Sequence, residues 1–181
     1  MNIFPAHQKG FTIIEVVVAI GILVLALGGA MSLIILTRES ENSAQNTLVA
    51  TYLAQEGQEM IRYVRDSSAL YGSDHFGAIA TTIDPYVDSF VIDSTGKDSI
   101  ESVPSGLAKD APVLRILNGR YTYSDDPAAT ETLFHRLITT TYHAPAGGLP
   151  AYLDVKSEVY WDWDGKKRTY SLMSQLTDWR Q

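Results

Sequence analysis

The hydrophobic positions divide this chain into one unbroken apolar run near the N-terminus and several patterned segments after it. The run from Val16 to Leu36 holds 21 residues and no charged side chain. As a helix, it is long enough to cross the ~30 Å hydrocarbon core of a bilayer. No proline occurs from Phe11 to Asp66, so the pattern predicts one continuous helix over that range.

After the charged stretch 37–41, the apolar positions take the spacing of an amphipathic helix. These apolar positions form a stripe along one side of the helix, and the stripe is expected to cover one face of a sheet. The polar residues Glu56, Gln58, Glu59 and Arg62 lie largely outside the stripe. A helix from Phe11 to Asp66 would be roughly 84 Å long. That length cannot fit inside a domain of this size, so its first half must be buried in lipid or among other subunits. The stripe consists of Val49, Leu53, Gly57, Met60 and Val64, flanked by Ala50, Ala54 and Ile61.

The end of the chain has the alternation of an antiparallel sheet. Strands are predicted within 133–142 and 152–163, and Asp164-Gly165 predicts a two-residue hairpin turn. We expect the face with Val159, Tyr170 and Leu172 to pack on the helix stripe from Leu53 to Val64. The register that follows places Trp161 opposite Arg168, Val159 opposite Tyr170, Ser157 opposite Leu172 and Asp162 opposite Lys167.

The middle segment, 67–132, is less regular. Loop compositions alternate there with two short strand-like runs, Phe90-Val91-Ile92 and Val113 to Leu117. The predicted fold class is therefore α+β: a long N-terminal α-helix, membrane-spanning in its first half, packed on a C-terminal antiparallel β-sheet.

Composition narrows the functional classes. The net charge is −7, and the one basic run is Lys166-Lys167-Arg168. Nucleic-acid binding needs clustered Lys and Arg, so this short run is interpreted as the solvated end of a hairpin. The absence of cysteine excludes disulfides and thiolate metal sites. No nucleophile motif, paired acid and base or phosphate loop occurs, so we predict no enzymatic activity, cofactor or metal site.

Glu15 is the candidate functional residue with the most specific hypothesis, because its carboxylate lies beside an apolar run. A lone carboxylate beside an apolar run either becomes protonated or finds a cation, because an unpaired charge there is costly. The ordinary alternative is an interfacial glutamate that reaches water from the end of a membrane helix.

The segment Gly10-Phe11-Thr12-Ile13-Ile14-Glu15, followed by the apolar run, resembles the class III signal of type IV pilins and pseudopilins. This resemblance implies that a prepilin peptidase cuts between Gly10 and Phe11 and that Phe11 becomes the N-methylated end. Glu15 would be the assembly carboxylate, paired with the Phe11 amine of a neighbouring subunit. The implied segments are a leader (1–10), a transmembrane and assembly helix (11–36), its amphipathic second half (37–66) and a globular head (67–181), with a variable region (67–132) and a sheet (133–176).

By this resemblance the protein would be a structural subunit of a type IV pilus-like filament. Its partners would be prepilin peptidase, other pilin subunits, the inner-membrane assembly platform and, before assembly, membrane lipid. A separate ATPase would supply the energy of extrusion. The subunit would cross the cytoplasmic membrane once, with its C-terminal domain outside the cytoplasm, and would end in an extracellular filament or a periplasmic pseudopilus.

Three alternatives stay open at this point. The chain could be a minor pseudopilin of a type II secretion or DNA-uptake machine, and the ending Leu176 to Arg180 resembles minor pilins. It could instead be a single-span anchored binding or adhesion domain that never polymerises.

The loop 93–101 carries several oxygen side chains, for which calcium binding is the alternative to ordinary solvation. The aromatics Tyr160, Trp161, Trp163 and Tyr170 favour cross-strand packing over a binding surface.

Overall fold

A computed structural model describes residues 10–70, 88–93, 101–103 and 105–177 of the chain. Residues 1–9 of the predicted leader, the loop positions 94–100 and the ending 178–180 lie outside these ranges. The described residues form one long helix, a short 3₁₀ turn and seven strands. The elements are α1 (Ile13–Leu70), β1 (Asp88–Val91), β2 (Glu101–Ser102), the 3₁₀ turn (Ala108–Asp110), β3 (Val113–Leu117), β4 (Arg120–Thr122), β5 (Thr130–His143), β6 (Tyr152–Trp163) and β7 (Lys166–Thr177).

The chain divides into two compact units, with the boundary between Ala44 and Gln45 inside α1. In the first unit every described residue from 10 to 42 is exposed, including the whole apolar run. Helix α1 is long and apolar enough to cross a membrane, and none of its most apolar 18-residue window is buried. Water does not stabilise an apolar surface of this extent, so the segment needs lipid or protein around it.

The second unit, Gln45–Gln181, is called the head below. It includes the last part of α1 as well as the predicted globular head 67–181 with its antiparallel sheet. Strand β5 is its centre: β6 pairs along one edge of β5, and β1 and β3 share the other edge. Strands β7, β2 and β4 extend the sheet from β6, β1 and β3. A long apolar N-terminal helix packed on a C-terminal antiparallel sheet confirms the predicted α+β class. The variable region contributes four of these strands, so the sheet begins well before residue 133.

Two tight hairpins fix the register of the sheet. Asp164 and Gly165 both have positive φ, 54° and 67°, as a two-residue turn between β6 and β7 requires. All four predicted cross-strand pairs of this hairpin are confirmed. A second turn of the same kind, Asn118-Gly119 between β3 and β4, was not predicted, although Asn-Gly is the composition that favours it.

The core lies between α1 and the inner face of the sheet, in two neighbouring clusters. Ala50, Leu53 and Ala54 pack with Val159 and Trp161, and the half-buried Tyr170 and Leu172 complete this cluster. The predicted packing is therefore confirmed at the Leu53 end of the stripe. The Val64 end of the stripe packs instead near the start of β6, with Leu153 and Val155. Ile61 of α1 and Leu176 of β7 complete this second cluster.

Gln58 corrects the sequence analysis, which placed it outside the buried stripe. Its side chain is buried, and its amide nitrogen donates to the carbonyl oxygens of Val155 and Leu172, each at 3.0 Å. Its side-chain oxygen accepts a hydrogen bond from the Ser174 hydroxyl. Gln58 thus ties the helix to β6 and β7, because a buried amide must find partners to offset its desolvation.

Gly57 is a point of close approach between helix and sheet. A Cβ atom built there would lie 2.6 Å from Ser157 Oγ, 2.7 Å from Ile138 Cδ1 and 3.2 Å from Arg136 Cδ. Real Cβ atoms do not occupy such positions, so the absence of a side chain sets the spacing of the two layers.

Replacing Gly57 with alanine is expected to lower the free energy of unfolding of the head by roughly 1–3 kcal/mol. The steric cost exceeds the gain in helix propensity, which is about 1 kcal/mol. Chemical denaturation followed by tryptophan fluorescence measures the change. Adding Ser157→Ala removes the closest atom and should restore part of the loss; a Gly57→Ala protein as stable as the parent would contradict the close approach.

The outer face of the sheet has a small core of its own. Val103, Ala108 and Ala111 from the segment around the 3₁₀ turn pack with Leu137 of β5, and Tyr160 lies against them. Trp163 departs from the prediction, since it continues the inner-face alternation of β6 but remains 37% exposed. It lies in the last position before the turn, beyond the reach of the helix-facing core.

Candidate functional site

The residues predicted to carry function, Gly10, Phe11 and Glu15, lie at the start of α1. Gly10 and Phe11 precede the helix, and the Phe11 side chain is 81% exposed. Glu15 is the acidic residue of the first turn and is also exposed. Gly10 and Phe11 are therefore exposed and lie outside regular secondary structure, directly before the helix.

Thr12 caps the helix, which the sequence analysis missed. Its hydroxyl oxygen accepts from the backbone N–H of Glu15 at 3.3 Å, and its carbonyl oxygen accepts from the N–H groups of Glu15 and Val16. The sequence Thr12-Ile13-Ile14-Glu15 has the Ser/Thr-x-x-Glu spacing of a capping box, so the signal was available. The cap fixes where α1 begins, two residues after the proposed cleavage site.

Glu15 has apolar surroundings on its own helix. Phe11 and Glu15 line one shallow hollow, and no Lys or Arg occurs in the chain between Gly10 and Thr37. The free N–H groups of the first turn favour a carboxylate there but do not neutralise it. Along the described part of α1 the first basic residue is Arg38, so the helix itself supplies no cation beside Glu15. The remaining lining residues are Val16, Ala19, Ile20 and Leu23.

A second charged feature, Arg136, lies in the head and was not predicted. Its side chain is fully buried between helix and sheet. Nη1 donates to the Glu56 carboxylate at 2.7 Å and to the Leu53 carbonyl at 3.2 Å, while Nη2 donates to the Ile92 carbonyl at 2.7 Å. The sequence signal was a single arginine at an inward position of a strand, between Phe134 and Ile138. Its contacts join α1, β5 and the end of β1, so its role is to hold the fold together.

Tyr123 supports the same region from the outer side. Its hydroxyl donates to the Arg136 carbonyl oxygen at 3.0 Å, and burial raises the pKa of Tyr123 to about 12. The neutral phenol is therefore kept at physiological pH, where it serves as a hydrogen-bond donor and not as a base.

The loop 93–101, where calcium binding was the alternative to ordinary solvation, is described at its two ends. Asp93 is buried and accepts from the Thr122 hydroxyl at 2.8 Å, so its carboxylate already serves the packing of β4. Glu101 lies exposed on β2. Within the described ranges, no three His, Asp or Glu side chains come together as a metal site would require. The residues between these ends lie outside the described parts of the chain.

The histidines and aromatics of the sheet have structural partners. His135 Nδ1 lies 2.6 Å from the Ala111 carbonyl oxygen, and His143 Nε2 lies 2.9 Å from Asp154 Oδ2. Trp161 is buried with its ring centroid 6.0 Å from that of Phe134. Cross-strand packing is thus confirmed for Trp161, and for Tyr160 and Tyr170 in their clusters, while Trp163 stays at the surface.

The comparisons with known proteins bear on the N-terminal segment. Residues 5–31 match the family model of the prokaryotic N-terminal methylation motif. No curated protein and no solved structure matches the chain. The matched range contains Gly10, Phe11, Glu15 and the first part of the apolar run. The motif is that of structural proteins and, with the apolar helix, indicates membrane anchoring. The N-terminal segment of this chain is therefore a prepilin-type signal of the kind that marks type IV pilins and pseudopilins.

Proposed function

We propose that this protein is a structural subunit of a type IV pilus-like filament, assembled through its N-terminal helix. The observation that carries the proposal is the methylation motif at 5–31, which coincides with an exposed apolar helix bearing a carboxylate in its first turn. A plain membrane anchor has no use for that carboxylate, because an ionisable group near the hydrocarbon is costly.

The proposed route has three steps. Prepilin peptidase cuts between Gly10 and Phe11 and the new amine of Phe11 is methylated. The apolar run holds the subunit in the cytoplasmic membrane, with the head outside the cytoplasm. The subunit then leaves the bilayer for a filament in which its apolar face is covered by other copies, while Glu15 pairs with the Phe11 amine of a neighbour.

The pairing would offset two desolvation costs at once. Removal of Glu15 and the terminal amine from water is unfavourable for each alone, but a close ion pair with hydrogen bonds offsets much of the desolvation. A fixed pair between two subunits also sets their axial register. Mispaired registers would leave a charge in an apolar environment, so the pair selects one arrangement.

The proposal is tested by the intact mass and N-terminal residue of the protein purified from membranes, with and without an active prepilin peptidase. We expect loss of residues 1–10 and the added mass of one methyl group on Phe11. The Gly10→Val protein serves as control and should stay unprocessed, because a branched side chain fills the space that glycine leaves to the peptidase. If the leader is retained although the same peptidase processes another substrate, the proposal is overturned and the anchored-domain alternative is favoured.

A further inference from the structure

The buried guanidinium of Arg136 has more hydrogen-bond donors than its surroundings accept. Nη1 donates to the Glu56 carboxylate and the Leu53 carbonyl oxygen, and Nη2 donates to the Ile92 carbonyl oxygen. Among the described residues, no acceptor lies within hydrogen-bond distance of Nε, although the whole side chain is buried. A buried donor without an acceptor is unfavourable, so this part of the core lacks one strong acceptor.

Met60 is the neighbour on the side of the guanidinium that carries the unpaired donor. Its Sδ atom lies 3.8 Å from Arg136 Nη2. Nη2 and Nε form one edge of the planar guanidinium, and their N–H groups point from that edge nearly in parallel. A thioether sulfur is only a weak acceptor, so Met60 stands beside this edge without satisfying it. An oxygen atom on the sulfur would bring a strong acceptor to the edge.

Met60 can be reached from solvent. It is half-buried at the border of the core, and it lines a hollow of about 330 Å³ in the head together with Tyr63 and Ile92. Tyr63 is 68% exposed, so the hollow opens to the surface. A space of this size admits a molecule as small as hydrogen peroxide. The other lining residues are Glu56, Glu59, Val64 and Asp93.

We propose that Met60 is an oxidation site, and that the oxygen of its sulfoxide accepts a hydrogen bond from the open edge of Arg136. The sulfur attacks one oxygen of hydrogen peroxide, and an S–O bond forms while the O–O bond breaks. The proton of the transferred oxygen passes to the departing oxygen, which leaves as water. The sulfur is thereby oxidised and the peroxide reduced.

The surroundings of Met60 distinguish its sulfoxide from that of an ordinary core methionine. A sulfoxide in a core is usually disruptive, because a polar oxygen is buried without a partner. At Met60 the new oxygen would meet a donor that also lacks a partner. The flexible side chain of methionine allows the oxygen to turn toward the guanidinium. This inference concerns the folded head alone and does not depend on the proposed function.

The test treats the full chain in detergent micelles with hydrogen peroxide and follows each methionine by peptide mass. Met173, 71% exposed on β7, is the internal comparison. We expect Met60 to gain one oxygen atom in the folded protein at a rate within about tenfold of that of Met173. Solvent exchange of the Arg136 Nε–H, measured by NMR, should become roughly tenfold slower after oxidation. The resonance is assigned by its absence from the spectrum of the Arg136→Lys protein.

Two matched variants assign the effect to Met60. Met173→Leu leaves Met60 as the one methionine of the head and should show the full slowing of exchange. Met60→Leu conserves the volume and keeps Met173, so peroxide should leave the exchange of its Arg136 Nε–H unchanged. The inference is overturned if Met60 gains oxygen only after the head unfolds. It is also overturned if exchange does not slow once Met60 is oxidised, or if it slows equally in the Met60→Leu protein.

Discussion

Replacing Arg136 with methionine is expected to lower the free energy of unfolding of the head by about 3–5 kcal/mol. The change removes the fully buried guanidinium and leaves the Glu56 carboxylate and the carbonyl oxygens of Leu53 and Ile92 without their donor. Methionine fills much of the volume, so the loss reports the unpaired polar groups more than a cavity. Chemical denaturation of the detergent-solubilised protein, followed by the fluorescence of the buried Trp161, measures it.

Arg115→Met is the matched control. Arg115 also contacts two carboxylates, but Asp125 and Glu131 are 94% and 65% exposed and water screens both pairs. Its loss should cost far less than the loss of Arg136, as is usual for surface ion pairs. Adding Glu56→Gln to Arg136→Met should recover part of the stability, because the half-buried carboxylate left without its partner is then replaced by a neutral amide. Equal losses for the two arginine variants would show that burial of Arg136 does not determine its contribution.

Replacing Glu15 with glutamine is expected to reduce the incorporation of subunits into filaments by about a hundredfold. The estimate converts the loss of roughly 3 kcal/mol from one broken ion pair in an apolar environment. Glutamine keeps the shape and the helix, while the charge is removed. The measurement compares sheared filaments with the membrane pool in cells that have the assembly machinery. Leader cleavage and membrane insertion should stay unchanged, because in the proposed function cleavage depends on Gly10 and Phe11 and insertion on the apolar run.

Glu41→Gln provides the comparison for this experiment. Glu41 lies on the same helix beyond the apolar run and is exposed to water, so its neutralisation should leave assembly within about twofold of the parent. Thr12→Ala tests the helix cap separately and should cost about 1 kcal/mol of local helix stability. Normal assembly of the Glu15→Gln protein would remove the proposed role of the carboxylate.

Local chemistry explains why the sequence was informative at the two ends of the chain. The apolar run has no charged residue, the Gly-Phe step precedes it directly, and the match to the methylation motif covers this segment. Asp164-Gly165 specified its own turn, and strict alternation on both strands then fixed every residue pair of the hairpin. Helical spacing likewise identified most of the buried stripe of α1.

The features that the sequence analysis did not predict have a different cause. Gln58 and Arg136 are polar residues, which pattern rules place at the surface, yet each is buried. Their burial depends on acceptors supplied by distant segments: carbonyl oxygens of β6 and β7 for Gln58, and of α1 and Ile92 for Arg136. The alternation of β5 gives Arg136 an inward position, but a hydrogen-bond partner more than forty residues away leaves no local trace in the sequence.

The sequence by itself therefore determined the membrane helix, the position of Gly10, Phe11 and Glu15, and the hairpin that ends the sheet, because each depends on neighbouring residues alone. Only the tertiary structure decided which end of the sheet meets the incoming helix and which polar groups are buried. It also decided how closely the two layers approach at Gly57, where three side chains from β5 and β6 occupy the space of a Cβ atom. These features depend on packing between segments that the chain order keeps far apart.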